Sequence, residues 1–351
     1  MKIAVLLSGG VDSSVALNIL KKEGHELQAF YLKIWLEDEM AYLGSCPWEE
    51  DLEYTQAVCD QLNISLSVVP FQKEYHEKVV NYTIDAVRKG LTPNPDVLCN
   101  SQIKFGAFIE KYGKDFDLVA TGHYAFVDRD EKTELAKLKI APDPIKDQTY
   151  FLAMITQEQL QKAIFPIGKM QKSEVRELAE KWNLPTAKRK DSQGICFLGK
   201  ISFRDFLLHH LGKKKGKIIE KESGEIIGEH DGAYLYTIGQ RRGIELSGGP
   251  WYVCDKNIEK NIVFVSHGFG GDDQRRDEFE VSNLNWISGK PKNKNLRVKL
   301  RHGEKFYDCE IDFIEDDLLK VKLGEKDQGI TPGQFAVFYD GEYCLGGGAI
   351  V

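Results

Sequence analysis

The stretch KIAVLLSGGVDSSVALNILKKEG, residues 2–24, decides the fold. Its apolar start predicts a buried parallel strand, and its amphipathic end predicts a helix with Gly24 as the C-terminal cap. The glycine-rich turn between them places backbone N–H groups at a helix N-terminus, where an anion is stabilised. Because the turn has no lysine, it differs from the usual triphosphate loop. It suits a nucleotide whose pyrophosphate leaves when the bond between the α and β phosphates is cleaved.

Each residue type in this turn has a use at a phosphate site. Gly9 and Gly10 let the backbone approach a phosphate closely, and the serines offer hydroxyl donors. Asp12 should repel phosphates, so a Mg²⁺ ion that accompanies the nucleotide is a natural reason for it. The alternative is a plain glycine-rich turn between a strand and a helix, which needs fewer of these residues.

Strand-like and helix-like segments alternate along the first part of the chain, which predicts a doubly wound α/β domain with a parallel sheet. After about residue 205 the glycines become closely spaced, and from about 276 short strands alternate with tight turns, which predicts a closed antiparallel β-barrel. We therefore expect a catalytic domain over residues 1–205, a small central domain over 206–275 and a barrel over 276–351.

Several element predictions can be checked individually. Residues 126–147 are charged and predict irregular structure. The segment SEVRELAEKWNL predicts a helix with Ser173 as its N-cap. The remaining predictions are strands at residues 27–35, 64–71 and 118–123 and helices at 51–62 and 74–89.

Composition narrows the function classes. The 351 residues carry a net charge of −7, which argues against a general nucleic-acid coat protein but leaves room for a local basic face. No signal-peptide pattern or membrane-spanning run is present, so we expect a cytoplasmic protein without a membrane partner. Its seven cysteines should then be reduced, and a disulfide is expected to be transient and catalytic.

Two cysteines stand in unusual surroundings. Cys99 closes LTPNPDVLCN, residues 91–100, whose two prolines predict an extended loop that delivers Asp96 and Cys99 to the start of a helix. Cys196 lies in DSQGICFLG, residues 191–199, directly after three basic residues. A helix N-terminus or nearby positive charge favours a thiolate. Two candidate reactive thiols indicate sulfur or disulfide chemistry.

The other cysteines predict packing rather than chemistry. A lone cysteine is usually a small buried hydrophobe. No CxxC or HxxxH spacing exists, so we expect no zinc site. The small-hydrophobe interpretation applies to Cys59, Cys254, Cys309 and Cys344.

Seven motifs occur in the order SGGVDSS, TPNPDVLCN, ATGHYA, KDQTYFL, DSQGICF, IGQRRG and PWYV, and the chain ends in TPGQFAVFYDGEYCLGGG. SGGVDSS alone resembles the pyrophosphatase loop of enzymes that adenylate a carbonyl oxygen. The whole set resembles the tRNA-specific 2-thiouridylases of bacteria. The resemblance implies an adenine-nucleotide α-hydrolase-like domain, a small central domain and a C-terminal barrel. It also implies an ATP-dependent sulfurtransferase that places sulfur at C2 of the wobble uridine of tRNA.

The resemblance also implies a nucleotide site. ATP, with its Mg²⁺, would be bound without a protein metal site. His123 in ATGHYA is either part of this surface or an ordinary hydrogen-bonded core histidine. The implied ATP-binding residues are Leu7, Ser8, Gly9, Gly10, Val11, Asp12, Ser13, Ser14, Leu32 and Gly122.

The implied catalytic roles belong to five residues. Asn94, Pro95 and Asp96 would meet the target base, which must leave its stack to be reached. Asp96 is the candidate general acid or base. Cys196 would carry the incoming persulfide. Cys99 would be its partner thiol, which either frees the sulfur as sulfide or closes a disulfide with Cys196 after transfer.

The implied tRNA contacts lie further along the chain. Lys146, Asp147 and Gln148 match one contact segment, and Arg301 and His302 match another. The first of these segments is also readable as a solvated charged loop. Lysine-rich stretches at 169–190, 213–217 and 290–305 could add a phosphate-binding face or merely solubilise the surface.

Two further points stay open. A sulfur donor, either a cysteine desulfurase or a sulfur-relay protein, must load Cys196. The rival functions are an adenylating synthetase for a small molecule and a non-catalytic tRNA-binding protein that uses ATP as a structural ligand.

Overall fold

A computed structural model describes residues 1–34, 47–129, 135–190, 202–267 and 276–351, whose strands are numbered here along the chain. The N-terminal part builds a parallel sheet of five strands. They are β1 (Lys2–Leu7), β2 (Glu26–Lys33), β3 (Leu66–Pro70), β4 (Leu118–Ala120) and β7 (Ala163–Ile164). Their order across the sheet is β3-β2-β1-β4-β7.

Helices cover this sheet. Two of them contain π-helical stretches: α3 joins Gln72–Tyr75, His76–Val80 and Asn81–Arg88, and α4 joins Pro95–Leu98, Cys99–Ala107 and Phe108–Tyr112. A short 3₁₀ turn, Gly113–Asp115, follows α4. The others are α1 (Val11–Lys22), α2 (Pro47–Leu62), α5 (Thr149–Leu152), α6 (Gln157–Lys162), α7 (Lys172–Lys181) and α8 (Phe203–Leu211).

Local sequence explains where two helices begin and end. Helix α1 ends before Gly24, which adopts φ +81°, a conformation that glycine takes without steric cost. Helix α7 begins one residue before the predicted cap. Gln171 is its N-cap, and the Gln171 backbone N–H donates to Glu174 Oε2 at 2.6 Å, so the prediction of Ser173 as N-cap was wrong.

The central part forms a small sheet of its own. Its strands are β8 (Gly216–Glu220), β9 (Ile226–His230), β10 (Tyr252–Asn257) and β11 (Ile262–Ser266). They pair in the order β10-β11-β8-β9, and a 3₁₀ turn, Ala233–Leu235, follows β9.

The C-terminal part is the predicted barrel. Six strands pair in the order β12-β15-β14-β13-β16-β17, and β17 pairs with β12 to close the ring. The GGG run of the last strand fits this closure, because a Cβ on Gly346 would lie 2.0 Å from the Asn285 carbonyl oxygen of β12. The strands are β12 (Arg276–Trp286), β13 (Asn295–Lys299), β14 (Tyr307–Glu315), β15 (Leu318–Asp327), β16 (Phe335–Asp340) and β17 (Tyr343–Ile350).

One hairpin joins the N-terminal α/β part to the barrel. Strands β5 (Phe126–Arg129) and β6 (Ala136–Lys139) pair with each other, and β6 continues the barrel sheet by pairing with the start of β17. The prediction of irregular structure over 126–147 was therefore wrong for these strands. A single buried cluster contains Phe30 of β2, Phe108 of α4 and Tyr339 of β16, so the two domains share one core.

None of the helices in the described ranges combines the length and the apolar composition that crossing a bilayer requires.

Candidate active site at the carboxyl edge of the parallel sheet

The glycine-rich turn connects β1 to α1 at the topological switch point of the sheet. Strands β2 and β4 flank β1 on opposite sides, and ligands of open α/β sheets bind at the carboxyl edge where the strand order reverses. Gly9 adopts φ +72°. The hydroxyls of Ser13 and Ser14 donate to the Gly10 carbonyl oxygen at 3.1 and 2.9 Å. These bonds hold the turn in shape, so the amide groups at the start of α1 form a preorganised anion site.

Gly122 lies against this turn from the neighbouring strand. It follows β4, and a Cβ on Gly122 would lie 2.6 Å from the Ser13 nitrogen and 2.8 Å from the Asp12 carbonyl carbon. Only a glycine leaves room for that approach. The structure therefore brings together Gly122 and the turn. Leu32, half-buried near the end of β2, lies at the same carboxyl edge.

Asp12 has protein partners in this structure. The Tyr124 hydroxyl donates to its Oδ1 at 2.8 Å, and the Lys172 ammonium lies 2.7 Å from Oδ1 and 2.9 Å from Oδ2. A lysine 160 residues away thus balances the charge for which the sequence suggested Mg²⁺. Among the described residues, no group of three or more His, Cys, Asp or Glu side chains could hold a metal ion.

A second cation contacts the turn from the other side. The Arg189 guanidinium donates to the Gly9 carbonyl oxygen at 2.7 Å and pairs with Asp51 of α2 at 2.8 Å. Its Cζ atom lies 4.4 Å from the centre of the Tyr54 ring. Burial raises the pKa of the Asp51 carboxyl, and the neighbouring guanidinium offsets part of that shift. Neither Lys172 nor Arg189 was assigned to the site from sequence, because their contacts depend on the fold.

The Cys99 segment is a helix start rather than an extended loop. Asn94 is the N-cap, with its Oδ1 accepting from the Val97 N–H at 3.4 Å, and Pro95 occupies the first helical position. The prediction of an extended loop therefore holds up to Asn94, whose backbone is extended, and was wrong from Pro95 onward. Half-buried Asp96 lies in the first turn, and Cys99 is 1% exposed one turn later.

The helix that bears Cys99 packs against the segment that follows β4. The Phe105 ring of α4 has its centroid 6.4 Å from that of the His123 ring, which follows β4. Cys99 lies six residues before Phe105 in the same helix. The fold therefore connects the helix of Cys99 to the segment that also contains Gly122.

His123 is a core histidine. Thr121 Oγ1 lies 2.7 Å from its Nδ1, and the rings of Phe105 and Phe165 pack against it. Burial lowers its pKa well below the ordinary histidine value, with the charge of Lys104 adding to the effect. The ring is neutral at pH 7.

Cys196 and its motif, residues 191–199, lie outside the described residues, as does Cys46. The described chain stops at Lys190, next to Arg189, which contacts the glycine-rich turn, and resumes at Ser202, which caps α8.

Four other cysteines fit the interpretation as packing residues. Cys59 is fully buried, Cys309 and Cys344 are nearly so, and Cys254 is half-buried. Burial raises the pKa of the Cys59 thiol to about 11 and those of Cys309 and Cys344 to about 12. These thiols are protonated at neutral pH and poor nucleophiles.

The residues of the segment Lys146–Gln148 differ in their burial and in their contacts. Asp147 is 3% exposed and forms an ion pair with Lys299 of β13 at 3.0 Å, while Thr149 also donates to its carboxylate. A carboxylate buried this deeply cannot contact tRNA in this arrangement; it joins the catalytic domain to the barrel. Gln148 accepts from the Tyr124 N–H at 3.0 Å, next to the glycine-rich turn. Lys146 is half-exposed, and for this residue the tRNA contact stays a prediction.

Arg301 and His302 lie at the barrel turn beside this segment. His302 Nε2 is 3.1 Å from the Asp147 carbonyl oxygen, and its ring stacks on Phe151 with centroids 4.7 Å apart. Arg301 is half-exposed and pairs with Asp327 at 3.3 Å. The barrel turn and the Lys146–Gln148 segment therefore form one continuous surface.

The lysine-rich stretches are less basic than they look in the sequence. Many of their lysines pair with acidic neighbours, which lowers their value as a phosphate-binding face. The pairs are Lys213–Asp231, Lys215–Glu229, Lys290–Asp316, Lys294–Asp312 and Lys305–Glu325.

Family comparisons cover the whole chain. A family model described as "tRNA methyl transferase HUP domain" matches residues 1–200. Two more, described as "tRNA methyl transferase PRC-barrel domain" and "Aminomethyltransferase beta-barrel domain", match residues 204–267 and 276–350. Among solved structures, the U34-tRNA thiolase NcsA from Methanococcus maripaludis overlaps 60% of this chain and 67% of its own, at 19% identity and a TM-score of 0.34, which is too little to support an argument.

Curated relatives match from end to end. The tRNA-specific 2-thiouridylase MnmA of Parabacteroides distasonis is 48% identical over 359 residues, which cover 100% of this chain and 99% of that protein. The tRNA-specific 2-thiouridylase MnmA 1 of Bacteroides thetaiotaomicron is 48% identical over 358 residues, with coverage of 100% and 99%. Similarity of this extent and completeness means that the chain belongs to the family of tRNA-specific 2-thiouridylases.

Proposed function

We propose that this chain is a tRNA-uridine 2-sulfurtransferase. It uses ATP to adenylate the C2 oxygen of the wobble uridine, and it then replaces that oxygen by sulfur. The observation that supports the proposal is the preorganised turn at the switch point with Gly122 packed against it, together with the helix of Cys99, whose Phe105 ring packs against His123 next to Gly122. A nucleotide site connected to a helix that bears a thiol is what the proposed reaction requires.

Adenylation solves a leaving-group problem. The C2 oxygen of uridine departs poorly, but it departs well as part of AMP. The turn at residues 7–14 binds the ATP phosphates through backbone N–H groups and favours release of pyrophosphate, because its anion site lies at the N-terminus of α1. Leu32 and Gly122 complete the nucleotide site. Mg²⁺ would arrive with ATP and be held mainly by phosphate oxygens and water.

Sulfur transfer uses the two thiols. In one order of events, the terminal sulfur of a Cys196 persulfide attacks C2 and AMP leaves, which creates a disulfide between C2-bound sulfur and Cys196. Cys99 then attacks the Cys196 sulfur, and the 2-thiouridine is released as a Cys99–Cys196 disulfide forms. In the other order, Cys99 attacks first and frees sulfide, which attacks C2. Both orders oxidise two thiols and reduce the transferred sulfur, and both require a reductant for the next turnover.

The burial of Cys99 adds a condition. Its thiol is 1% exposed, so the helix start from Asn94 to Cys99 must be displaced before it reacts. Entry of the flipped uridine next to Asn94, Pro95 and Asp96 provides a reason for such a displacement. Asp96 is then the group that moves protons at the target base.

The substrate would lie across both domains. Lys146 and the barrel turn of Arg301 and His302 offer the nearest surface for the tRNA backbone. A cysteine desulfurase or a sulfur-relay protein would supply the persulfide on Cys196.

The testing experiment mixes the protein with unmodified tRNA, ATP, Mg²⁺ and sulfide, and analyses the digested tRNA by mass spectrometry. We expect 2-thiouridine that disappears when ATP is omitted. Since the matching family models are described as methyl transferases, the same digest separates the two chemistries, because thiolation exchanges oxygen for sulfur and methylation adds a methylene. Methylated uridine without thiouridine would overturn the proposal.

Cysteine variants separate this proposal from its rivals. With a cysteine desulfurase and cysteine as the persulfide source, in place of sulfide that can attack the activated C2 without either thiol, Cys99→Ala and Cys196→Ala should each abolish thiouridine formation while ATP binding survives. A small-molecule adenylating enzyme with the same turn would keep its activity in both variants. A tRNA-binding protein without catalysis would release no pyrophosphate when tRNA is added.

A further inference from the structure

The glycine-rich turn has no lysine, yet an ammonium group lies beside it. Lys172 Nζ is 2.7 Å from Asp12 Oδ1, and Asp12 is the second residue of α1. The amide groups that form the anion site belong to the same first turn of that helix. The ammonium is therefore within about one side chain of the place where the ATP phosphates would bind.

The fold holds Lys172 in this position through its backbone. Lys172 is the first residue of α7, and its N–H donates to Asp143 Oδ2 at 3.0 Å. Helix α7 packs against α1 through one buried cluster, which includes Val15 of α1 and Val175 of α7. The lysine side chain is 14% exposed. Such a side chain has lost most of its freedom before a ligand arrives, which favours binding.

Asp12 and Tyr124 make the arrangement more specific. The Tyr124 hydroxyl donates to the same Asp12 oxygen that lies nearest the lysine, and the ammonium lies 5.8 Å from the centre of the Tyr124 ring. Tyr124 is 1% exposed and is fixed in turn by Gln148. The Asp12 carboxylate and the buried Tyr124 hydroxyl thus position the Lys172 ammonium at the edge of the anion site.

We propose that Lys172 binds the β phosphate of ATP and stays with the departing pyrophosphate, with Asp12 and Tyr124 as its positioning residues. The inference rests on the proposed function and assigns a new residue to its nucleotide site. A compact ammonium is suited to phosphate oxygens as a point charge. It also answers how a turn without a lysine balances the charge of a leaving pyrophosphate: the lysine comes from another helix.

The competing explanation is structural, in that Lys172 only neutralises Asp12. The two differ in what they predict for ligands with and without a β phosphate. If Lys172 contacts the β phosphate, its replacement weakens the binding of ATP and pyrophosphate but not that of AMP. If it only neutralises Asp12, its replacement changes the affinity for all three ligands alike or lowers the melting temperature of the protein instead.

The experiment measures ATP, AMP and inorganic pyrophosphate binding to the full-length chain by calorimetry. For Lys172→Met we expect ATP and pyrophosphate affinities to fall about 10- to 100-fold, with AMP unchanged. Lys172→Arg should recover part of the loss. The matched control is Lys162→Met, whose ammonium is half-buried against the carbonyls of Phe116 and Asp117 away from the turn, and its affinities should stay within about two-fold.

Two results would overturn the assignment: unchanged ATP affinity in Lys172→Met, or an equal loss for AMP. The outcome is separable from the proposed function. A wild-type chain that binds ATP but makes no 2-thiouridine would contradict the sulfurtransferase proposal while leaving the Lys172 contrast between ATP and AMP intact.

Discussion

Replacing Gly122 by alanine should disable adenylation without unfolding the protein. The new Cβ would lie 2.6 Å from the Ser13 nitrogen, 2.8 Å from the Asp12 carbonyl carbon and 2.9 Å from the Ser13 Cα. Carbon atoms pack comfortably at about 3.5 Å, so the turn must retreat by about 0.9 Å. All three contacts are backbone atoms of the anion site, and no flexible side chain can absorb the shift. A misplacement of about 1 Å in a reacting geometry costs about 100-fold in rate.

The assay is pyrophosphate release in a single turnover with saturating ATP and tRNA. We expect Gly122→Ala to slow it about 100-fold, while overpacking lowers the free energy of unfolding by about 1–3 kcal/mol. The matched control is Gly324→Ala in the barrel, where the new Cβ would make ordinary contacts of 3.5 and 3.7 Å with Asp308. If Gly122→Ala keeps the wild-type rate, the turn is not the adenylation site and the reasoning fails.

Three further predictions concern the turn, the domain junction and a buried ring. In Gly10→Ala the added methyl meets only Ser8 Oγ at 3.4 Å, so the melting temperature should be unchanged. Titration with ATP should show weaker binding, because the phosphate needs the space that the methyl fills. An unchanged affinity for ATP would mean that the phosphates bind elsewhere. Lys299→Met leaves the Asp147 carboxylate buried without its ammonium partner, so the free energy of unfolding measured in urea should fall by about 3–5 kcal/mol. The loss should be smaller when Asp147→Asn is added. A loss below about 1 kcal/mol for the single variant would contradict a desolvated ion pair. Burial depresses the pKa of His123, so the unfolded chain takes up a proton near pH 6.5 that the folded chain refuses. The resulting stability is present above pH 6.5 and declines as the pH falls below it, and His123→Phe should remove that part of the slope, whereas an unaltered slope would show that the ring is not buried in its neutral form.

Local patterns predicted much of this fold correctly. The apolar run of β1, the glycine-rich turn and the amphipathic α1 are visible in the local pattern of residues 2–24, although β1 is held in the sheet by its pairing with β2 and β4. The alternating strands of the barrel are also visible in the local pattern, although their closure depends on the distant pairing of β12 with β17. Gly122 was assigned to the nucleotide site from its motif, and the structure brings it against the turn.

The errors have different physical origins. Asn94 followed by Pro95 is a helix start, with a capping side chain and a residue suited to the first helical position, whereas two closely spaced prolines also favour an extended loop. The local sequence therefore carries both signals, and the capped helix is the one that forms. Strand β6, in contrast, has little signal of its own. It is a strand because it pairs with β5 in a hairpin and with β17, about 200 residues later, and such pairing overrides local propensity.

The cations of the site lay beyond sequence reasoning for the same reason. Lys172 sits in a charged helix start that looks like a solvated surface, and only the packing of α7 on α1 brings it to Asp12. Asp147 is the opposite case. It occurs in a charged segment that predicts exposure, and the barrel buries it against Lys299. Long-range pairs of this kind cannot be inferred from spacing in one sequence.

The central claim is that ATP activates the C2 oxygen of uridine. The most direct test uses tRNA whose wobble uridine carries a heavy oxygen isotope at C2, converted in one turnover with ATP, and mass spectrometry of the released AMP. The account predicts that AMP carries the heavy isotope in the same amount as 2-thiouridine formed. Unlabelled AMP, with the heavy isotope found in water or in pyrophosphate, would contradict it.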